Sequence, residues 1–325
     1  MHHNLFIPLF FCAASIATAQ SSQVKTTPTW KVGEKRQVSV TEAIRVTTDS
    51  ATYNITKNSS FVMEVVSLRK DGFVLAFRTG STDVQVRESE LDRALNGGKL
   101  DSRTQFLQQL AEGMYKPLGG VESRFDITLA GDVSGQVDPV GTVEQLRPAL
   151  AKVVLDMRDA VARSTSQQSE QLAKTRVDYL SDSLYAVLVR SQVHELHRVL
   201  RVYGNAFPLT GSQKERVTVK DVRSPIRYQY MDLPAMVEVG LDVVDAKKMT
   251  CRTITTYDTD ALFAAMTKDK WTTEDKPANL SMVEECVTGF DRTSGWPTAS
   301  TSDIDFRCGA IKVHITTRTA LEIVR

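Results

Sequence analysis

The sequence predicts an α+β protein in which antiparallel, curved, half-barrel-like sheets pack on long amphipathic helices. Three observations predict it. Residues 30–88 and 205–325 are rich in short alternating runs broken by turn residues, the signature of antiparallel strands. Between them, from Gly141 to Gly204, apolar residues recur at steps of three and four, the period of a helix that buries one face. Two such helices cannot cover each other fully and need a sheet as partner.

Taken in order, residues 1–19 read as a secretory signal peptide. The apolar run Leu5 to Phe11 is followed by Ala17-Thr18-Ala19, a small-x-small cleavage pattern before Gln20. Leu9-Phe10-Phe11 ahead of Cys12 lack the small residue of a lipoprotein signal, so release is expected rather than a lipid anchor. No later stretch is long and apolar enough to span a membrane. Residues 20–29 form a polar linker. An N-terminal β-rich half over 30–140 contains Ser60 to Val66 and Phe73 to Phe77, joined by the turn Lys70-Asp71-Gly72. It continues through a helical stretch over 86–115 and a hairpin around Ala130-Gly131-Asp132.

The helical segment 141–204 divides into two. Leu146, Leu150, Val153, Val154, Met157 and Val161 line one face of a helix from Thr142 to Ala162, with Pro148 early in it. The polar run Ser164 to Ser169 is a break. A second helix, Glu170 to Tyr203, carries the stripe Ala173, Val177, Leu180, Leu184, Val187, Leu188, Leu196 and Leu200 and stops at Gly204. The C-terminal β-rich half, 205–325, has the turn spacing of an antiparallel sheet. Its opening, Gly211 to Val219, echoes Gly33 to Val40 with one residue inserted. Two related half-barrels explain the echo, and so does chance similarity between two β-rich openings.

Charge is balanced, 40 Lys+Arg against 39 Asp+Glu, and nothing in it argues for nucleic acid. Cys251, Cys286 and Cys308 all fall in the last quarter. In an oxidising compartment one disulfide, Cys286–Cys308, would close a loop around Gly295-Trp296-Pro297 and stabilise by about 3 kcal/mol. The alternative is three buried thiols. On the second helix, Arg190, His194, His197 and Arg201 form one stripe. It reads as an anion or partner contact, as a two-histidine metal site, or as a solvated face near a helix C-terminus, where cations suit the dipole. His194-Glu195-Leu196-His197 is not the zincin spacing, and no third ligand is at hand, so no metal and no cofactor is expected. Asn54, Asn58 and Asn279 sit in N-x-Ser/Thr sequons.

Four features together resemble a loosely defined class of uncharacterised secreted bacterial proteins. They are Ala19-Gln20, the Trp30 to Glu34 opening, the Gly131 to Gly135 hairpin and the Gly295 to Pro297 turn. The outline is also similar to periplasmic lipoprotein-carrier half-barrels, in which helices cover a curved sheet. Those resemblances imply an exported protein, periplasmic, cell-surface or extracellular, and bring no catalytic residues.

The leading functional expectation is a non-catalytic binding module of the envelope, holding an apolar or lipid-like molecule in a cleft between sheet and helices. The expected lining is Phe61, Val65, Phe73, Leu75 and Phe77 facing Leu184 and Leu188. The alternative is a structural or interaction protein that meets an envelope partner through the basic stripe and an exposed loop at Trp296. A hydrolase comes third. There is no Gly-x-Ser-x-Gly elbow and no phosphate loop, and neighbouring acids such as Glu284-Glu285 read as solvated surface.

Overall fold

The structure is a computed structural model that describes residues 23–49, 52–88, 119–164, 177–225, 230–267 and 276–324. The expected signal segment, residues 89–115 of the helical stretch expected over 86–115, and most of the polar break after Ser164 lie outside the described residues; residues 86–88 of that stretch are strand, the end of β4.

In chain order the described elements open with β1 (Gln23–Lys25), β2 (Lys35–Thr47), β3 (Thr52–Arg69) and β4 (Gly72–Glu88). β5 (Glu122–Thr128), β6 (Val133–Val137), α1 (Pro139–Ser164) and α2 (Val177–Leu200) follow. Next come β7 (Ala206–Pro208), β8 (Ser212–Arg223), β9 (Tyr230–Val244), β10 (Lys248–Tyr257) and α3 (Thr259–Thr267). β11 (Ser281–Asp291), β12 (Trp296–Cys308) and β13 (Ile311–Ile323) close the chain. β1 and β7 pair as a small ribbon. The other eleven strands form one antiparallel sheet in the order β6-β5-β4-β3-β2-β13-β12-β11-β10-β9-β8. The two β-rich stretches are therefore one sheet, joined where β13 pairs with β2 from Lys312↔Thr47 to Ile323↔Arg36.

The sheet is curved. α2 touches β6 and β8, the two edge strands, and also β12 near the middle. Only a sheet that wraps around the helix brings all three to it. Side chains alternate along each strand, so one face of each strand looks toward the concave side. In β2 the inward row is Val38, Val40, Glu42, Ile44 and Val46.

α1 begins at Asp138, whose carboxylate accepts the Gly141 amide at 3.0 Å. Pro139 occupies the first helical position, where its missing N–H costs nothing. Leu146 and Leu150 of α1 pack against Tyr185 and Leu188 of α2. The C-terminal end of α2 is pressed against the β5–β6 turn. A Cβ at Gly131 would lie 2.7 Å from the Leu200 carbonyl oxygen, and one at Gly204 would lie 2.8 Å from the Ala130 side chain. Both glycines also have positive φ, so the close approach and the local turn require the same residue type.

Two apolar bodies fill the concave side. The first gathers Val38, Val40, Phe61, Val65, Phe73, Phe77, Phe125 and Trp296 around Leu196, Val199 and Leu200 of α2. The second gathers Leu233, Tyr257, Met282, Phe306 and Val313 around Leu262, Phe263 and Met266 of α3.

Candidate functional site: a polar belt and a cavity under the second helix

The two apolar bodies are separated by polar residues on the same inward rows. In β2 the row passes from Val38 and Val40 through Glu42 to Ile44. In β13 it passes from Leu321 through Thr319 and Thr317 to Ile315, and in β12 through Ser300 and Ser302 to Ile304. In β11 it passes from Phe290 through Thr288, Cys286 and Glu284 to Met282. β10 contributes Thr253 and Thr255 between Cys251 and Tyr257. Register aligns these positions: Glu42 lies opposite Thr317, Thr317 opposite Ser302, and Ser302 opposite Cys286. A buried polar belt thus crosses five strands.

α2 lies over this belt and supplies its counter-charges. The Arg198 guanidinium reaches Glu195 at 2.9 Å and Glu42 at 3.4 Å, and donates to His194 Nε2 at 3.1 Å. Glu42 also accepts Arg223 at 2.8 Å, and Lys57 lies 3.9 Å from Glu195. Farther along the helix, Arg201 donates to Glu284 at 2.8 Å. The same carboxylate accepts Ser302 Oγ at 2.7 Å and Tyr257 Oη at 3.1 Å.

Burial alone would raise the carboxyl pKa of Glu42, but Arg223, Lys57 and Arg198 outweigh it and hold the group well below the usual range. Glu284 is likewise opposed by burial and brought down to about 2 by Arg201 and its hydroxyl donors. Burial pushes His194 down to about 4, helped by the neighbouring Arg198 charge. His194 is therefore neutral. Its Nδ1–H donates to the Asp221 carbonyl at 3.1 Å, and its Nε2 accepts from Arg198. Asp221 sits in a bulge of β8 at φ 50. The same bulge places its carboxylate 3.8 Å from His197 Nδ1, while His197 Nε2 accepts the Val133 amide at 3.4 Å.

Beside the belt lies a cavity of about 450 Å³, between α2 and the inner faces of β8 to β11. Val217, Val219, Val237, Val239 and Leu200 give it aliphatic walls. Arg201, Glu284, Thr255 and Tyr257 give it a hydrogen-bonding one. Its outer lining includes Gly131, Asp132, Asn205 and Gln213, at the end of the sheet where β6 and β8 begin. Among the described residues no group of three or more His, Cys, Asp or Glu could hold a metal ion.

The residues expected to line a cleft lie elsewhere. Phe61, Val65, Phe73, Leu75 and Phe77 are buried in the first apolar body, where Phe61 and Phe77 stack at 4.3 Å between centroids. The space over that part of the sheet is filled by side chains. Leu188 packs on α1, and the side chain of Leu184 lies outside the described residues. The hollow is on the C-terminal side instead.

The basic stripe is divided. Arg190 is exposed and donates to the Tyr230 carbonyl at 3.4 Å, whereas His194, His197 and Arg201 face inward and line the cavity. A solvated face for the whole stripe is corrected, because the sheet curls round both sides of α2. Trp296, expected on an exposed loop, is 1% exposed. It stacks on Trp30 at 4.3 Å, and its indole donates to Glu34 at 2.7 Å. Glu284, read as surface, is buried.

The Cys286–Cys308 disulfide is corrected by register. Cys286 lies opposite Ser302, and Cys308 is six residues farther along β12, about 20 Å away, beyond the reach of a disulfide. All three thiols are free. Cys251 is a diagonal neighbour of Cys286, and burial beside that thiol pushes it up to about 12.

Sequence reasoning placed Arg198 only beside the basic stripe and missed Glu42, Arg223, Lys57 and the bulge at Asp221. One signal was available: a lone glutamate inside the apolar alternation Val38-x-Val40-x-Glu42-x-Ile44.

No protein-family model matches the chain, and no curated protein matches it. The chain is similar to a solved structure of lipid–protein interactions in lipovitellin, at 11% identity and a TM-score of 0.43. The likeness covers 91% of this chain and 25% of that one, so the chain spans a quarter of its length. It is also similar to an outer membrane channel from Pseudomonas putida F1, at 4% identity and a TM-score of 0.18, over 91% of this chain and 98% of the other. At those scores neither likeness carries a conclusion about this chain. No helix among the described residues is long and apolar enough to cross a membrane.

Proposed function

We propose that this is an exported, non-catalytic binding protein that holds an amphipathic small molecule in the cavity beneath α2. The cavity itself carries the reading. At about 450 Å³ it falls within the range of small-molecule sites, and it sets aliphatic walls against one hydrogen-bonding wall. An apolar chain would lie along Val217, Val237 and Val239, and a polar end would meet Arg201, Thr255 and Tyr257.

A binding role fits the state of the ionisable groups. Glu42 and Glu284 are ionised and paired, and His194 has both ring nitrogens engaged. These groups orient and desolvate a ligand but hold no free acid–base pair for it. Export rests on the Leu5 to Ala19 pattern.

The test is native mass spectrometry of the protein purified without detergent, beside a Val237→Trp variant that fills the hollow. The expected result is an adduct of one small apolar or amphipathic mass on the natural sequence and none on the variant. A bare mass that stays bare after incubation with fatty acids and phospholipids would sink the proposal.

A further inference from the structure

Among the described residues eleven large hydrophobic side chains are exposed, and eight of them lie at one end of the sheet. That is the end where β2, β4, β6, β8, β10 and β12 begin and where β3, β5, β9, β11 and β13 finish. Val32 stands just before β2, and Ile323 and Val324 close the adjoining β13. Leu68 lies at the end of β3, Leu129 in the β5–β6 turn and Leu209 ahead of β8. Val243 and Val244 finish β9. Ile323 is 70% exposed, Val32 57% and Val243 56%. The other three, Val140, Leu155 and Met236, are scattered over α1 and the middle of β9.

Cations accompany these tips. Lys31, Lys70, Lys247 and Lys248 are exposed on the same turns. Asp71, Asp132 and Asp242 are also exposed at this end, whereas two further acids are turned back onto the chain. Asp245 accepts the Lys247 and Lys248 amides at 2.7 and 2.6 Å, and Asp291 accepts the Thr293 amide and the Ser294 hydroxyl at 2.8 Å.

We infer that this end is a docking rim for the surface of a phospholipid bilayer bearing anionic headgroups. Separate aliphatic tips on several turns, with lysines between them, suit shallow insertion among headgroups while the ammonium groups sit at phosphate level. A protein partner would call for a contiguous central anchor of aromatic or arginine side chains. Here the aromatic pair Trp30 and Trp296 is buried beneath the rim rather than displayed. The rim also adjoins part of the cavity lining. Leu129 is next to Ala130, Gly131 and Asp132 of the lining, and Leu209 follows the Ala206–Pro208 strand whose first residue lines it.

The test is flotation of the purified chain with vesicles of phosphatidylcholine alone and of phosphatidylcholine mixed with phosphatidylglycerol. The chain is expected to float with the anionic vesicles, less so as salt rises. The double variant Val243→Asp/Ile323→Asp lowers the bound fraction at least ten-fold. Val140→Asp, equally exposed but off the rim, leaves it unchanged. Thermal melts of all three proteins establish that they are folded. Three outcomes would overturn the inference: no flotation of the natural sequence, an equal loss in Val140→Asp, or a rim that proves by sedimentation to join two copies of the chain. The rim stands on surface residues alone, so its failure leaves the cavity proposal untouched. That proposal is read separately from the adduct in native mass spectrometry.

Discussion

One sheet is packed in two ways. Over β2 to β5, α2 presses Leu196, Val199 and Leu200 into a body of aromatic and aliphatic side chains with little space left. Over β8 to β11 the same helix turns His194, His197 and Arg201 toward the sheet and a hollow remains. The difference lies in the inward rows. β3 and β4 present Phe61, Met63, Val65, Phe73, Leu75 and Phe77, whereas β10 and β11 interrupt theirs with Thr253, Thr255 and Glu284. Short polar side chains under a helix leave volume that longer apolar ones would fill. The first region holds the helix, and the second gives it something to cover.

The sharpest way to break this contrast is to orphan the belt. Glu42→Gln leaves Arg198 and Arg223 without their shared carboxylate, and is expected to destabilise by about 3–5 kcal/mol in urea unfolding. A loss under about 1 kcal/mol would mean that water already reaches the belt. In the filled region, Phe77→Ala removes half of a buried aromatic stack and should cost about 3–5 kcal/mol.

Acid provides a third handle. The unfolded His194 takes a proton near pH 6.5, whereas in the fold it does so only near pH 4. Between those values the unfolded state binds the extra proton, so stability falls as pH falls, by about 3 kcal/mol in total. His197, also lowered by burial, adds in the same direction. Below pH 4.5, protonation of Glu284 in the unfolded state continues the loss down to about pH 2. Urea melts at pH 7, 6 and 5 should show this slope, and His194→Gln should flatten its upper part. The smallest effect belongs to the hollow. Val237→Ala borders existing space and should cost about 1 kcal/mol or less, while altering ligand retention in native mass spectrometry.

Much of the fold was legible locally. The hairpin at Lys70-Asp71-Gly72, the turn at Ala130-Gly131-Asp132 and the stop at Gly204 are all where turn chemistry puts them. What periodicity could not show was closure. The pairing of β2 with β13 joins residues almost three hundred positions apart, and no local pattern encodes it. The same blindness explains Trp296, whose partner Trp30 lies at the other end of the chain. It also explains the stripe on α2. Spacing places His194, His197 and Arg201 on one face, but whether that face meets water depends on how far the sheet curls. Glu42 breaks an apolar alternation, which is a local signal, whereas Glu284 beside Glu285 reads locally as surface, and it is the curled sheet that buries both in one belt.

The seam between β2 and β13 also sets an order of events at the ribosome. β2 is the first long strand to be made, and it sits in the middle of the finished sheet with one neighbour present at once and the other missing until the chain is nearly complete. Until β13 arrives, one side of β2 is a raw edge of unpaired amides and carbonyls, and Val38 and Val40 lie beside it. Contacts at such sequence separation form slowly, so the nascent chain spends its synthesis with its future centre open. A chain built this way gains from being kept unfolded until its last strand has been delivered.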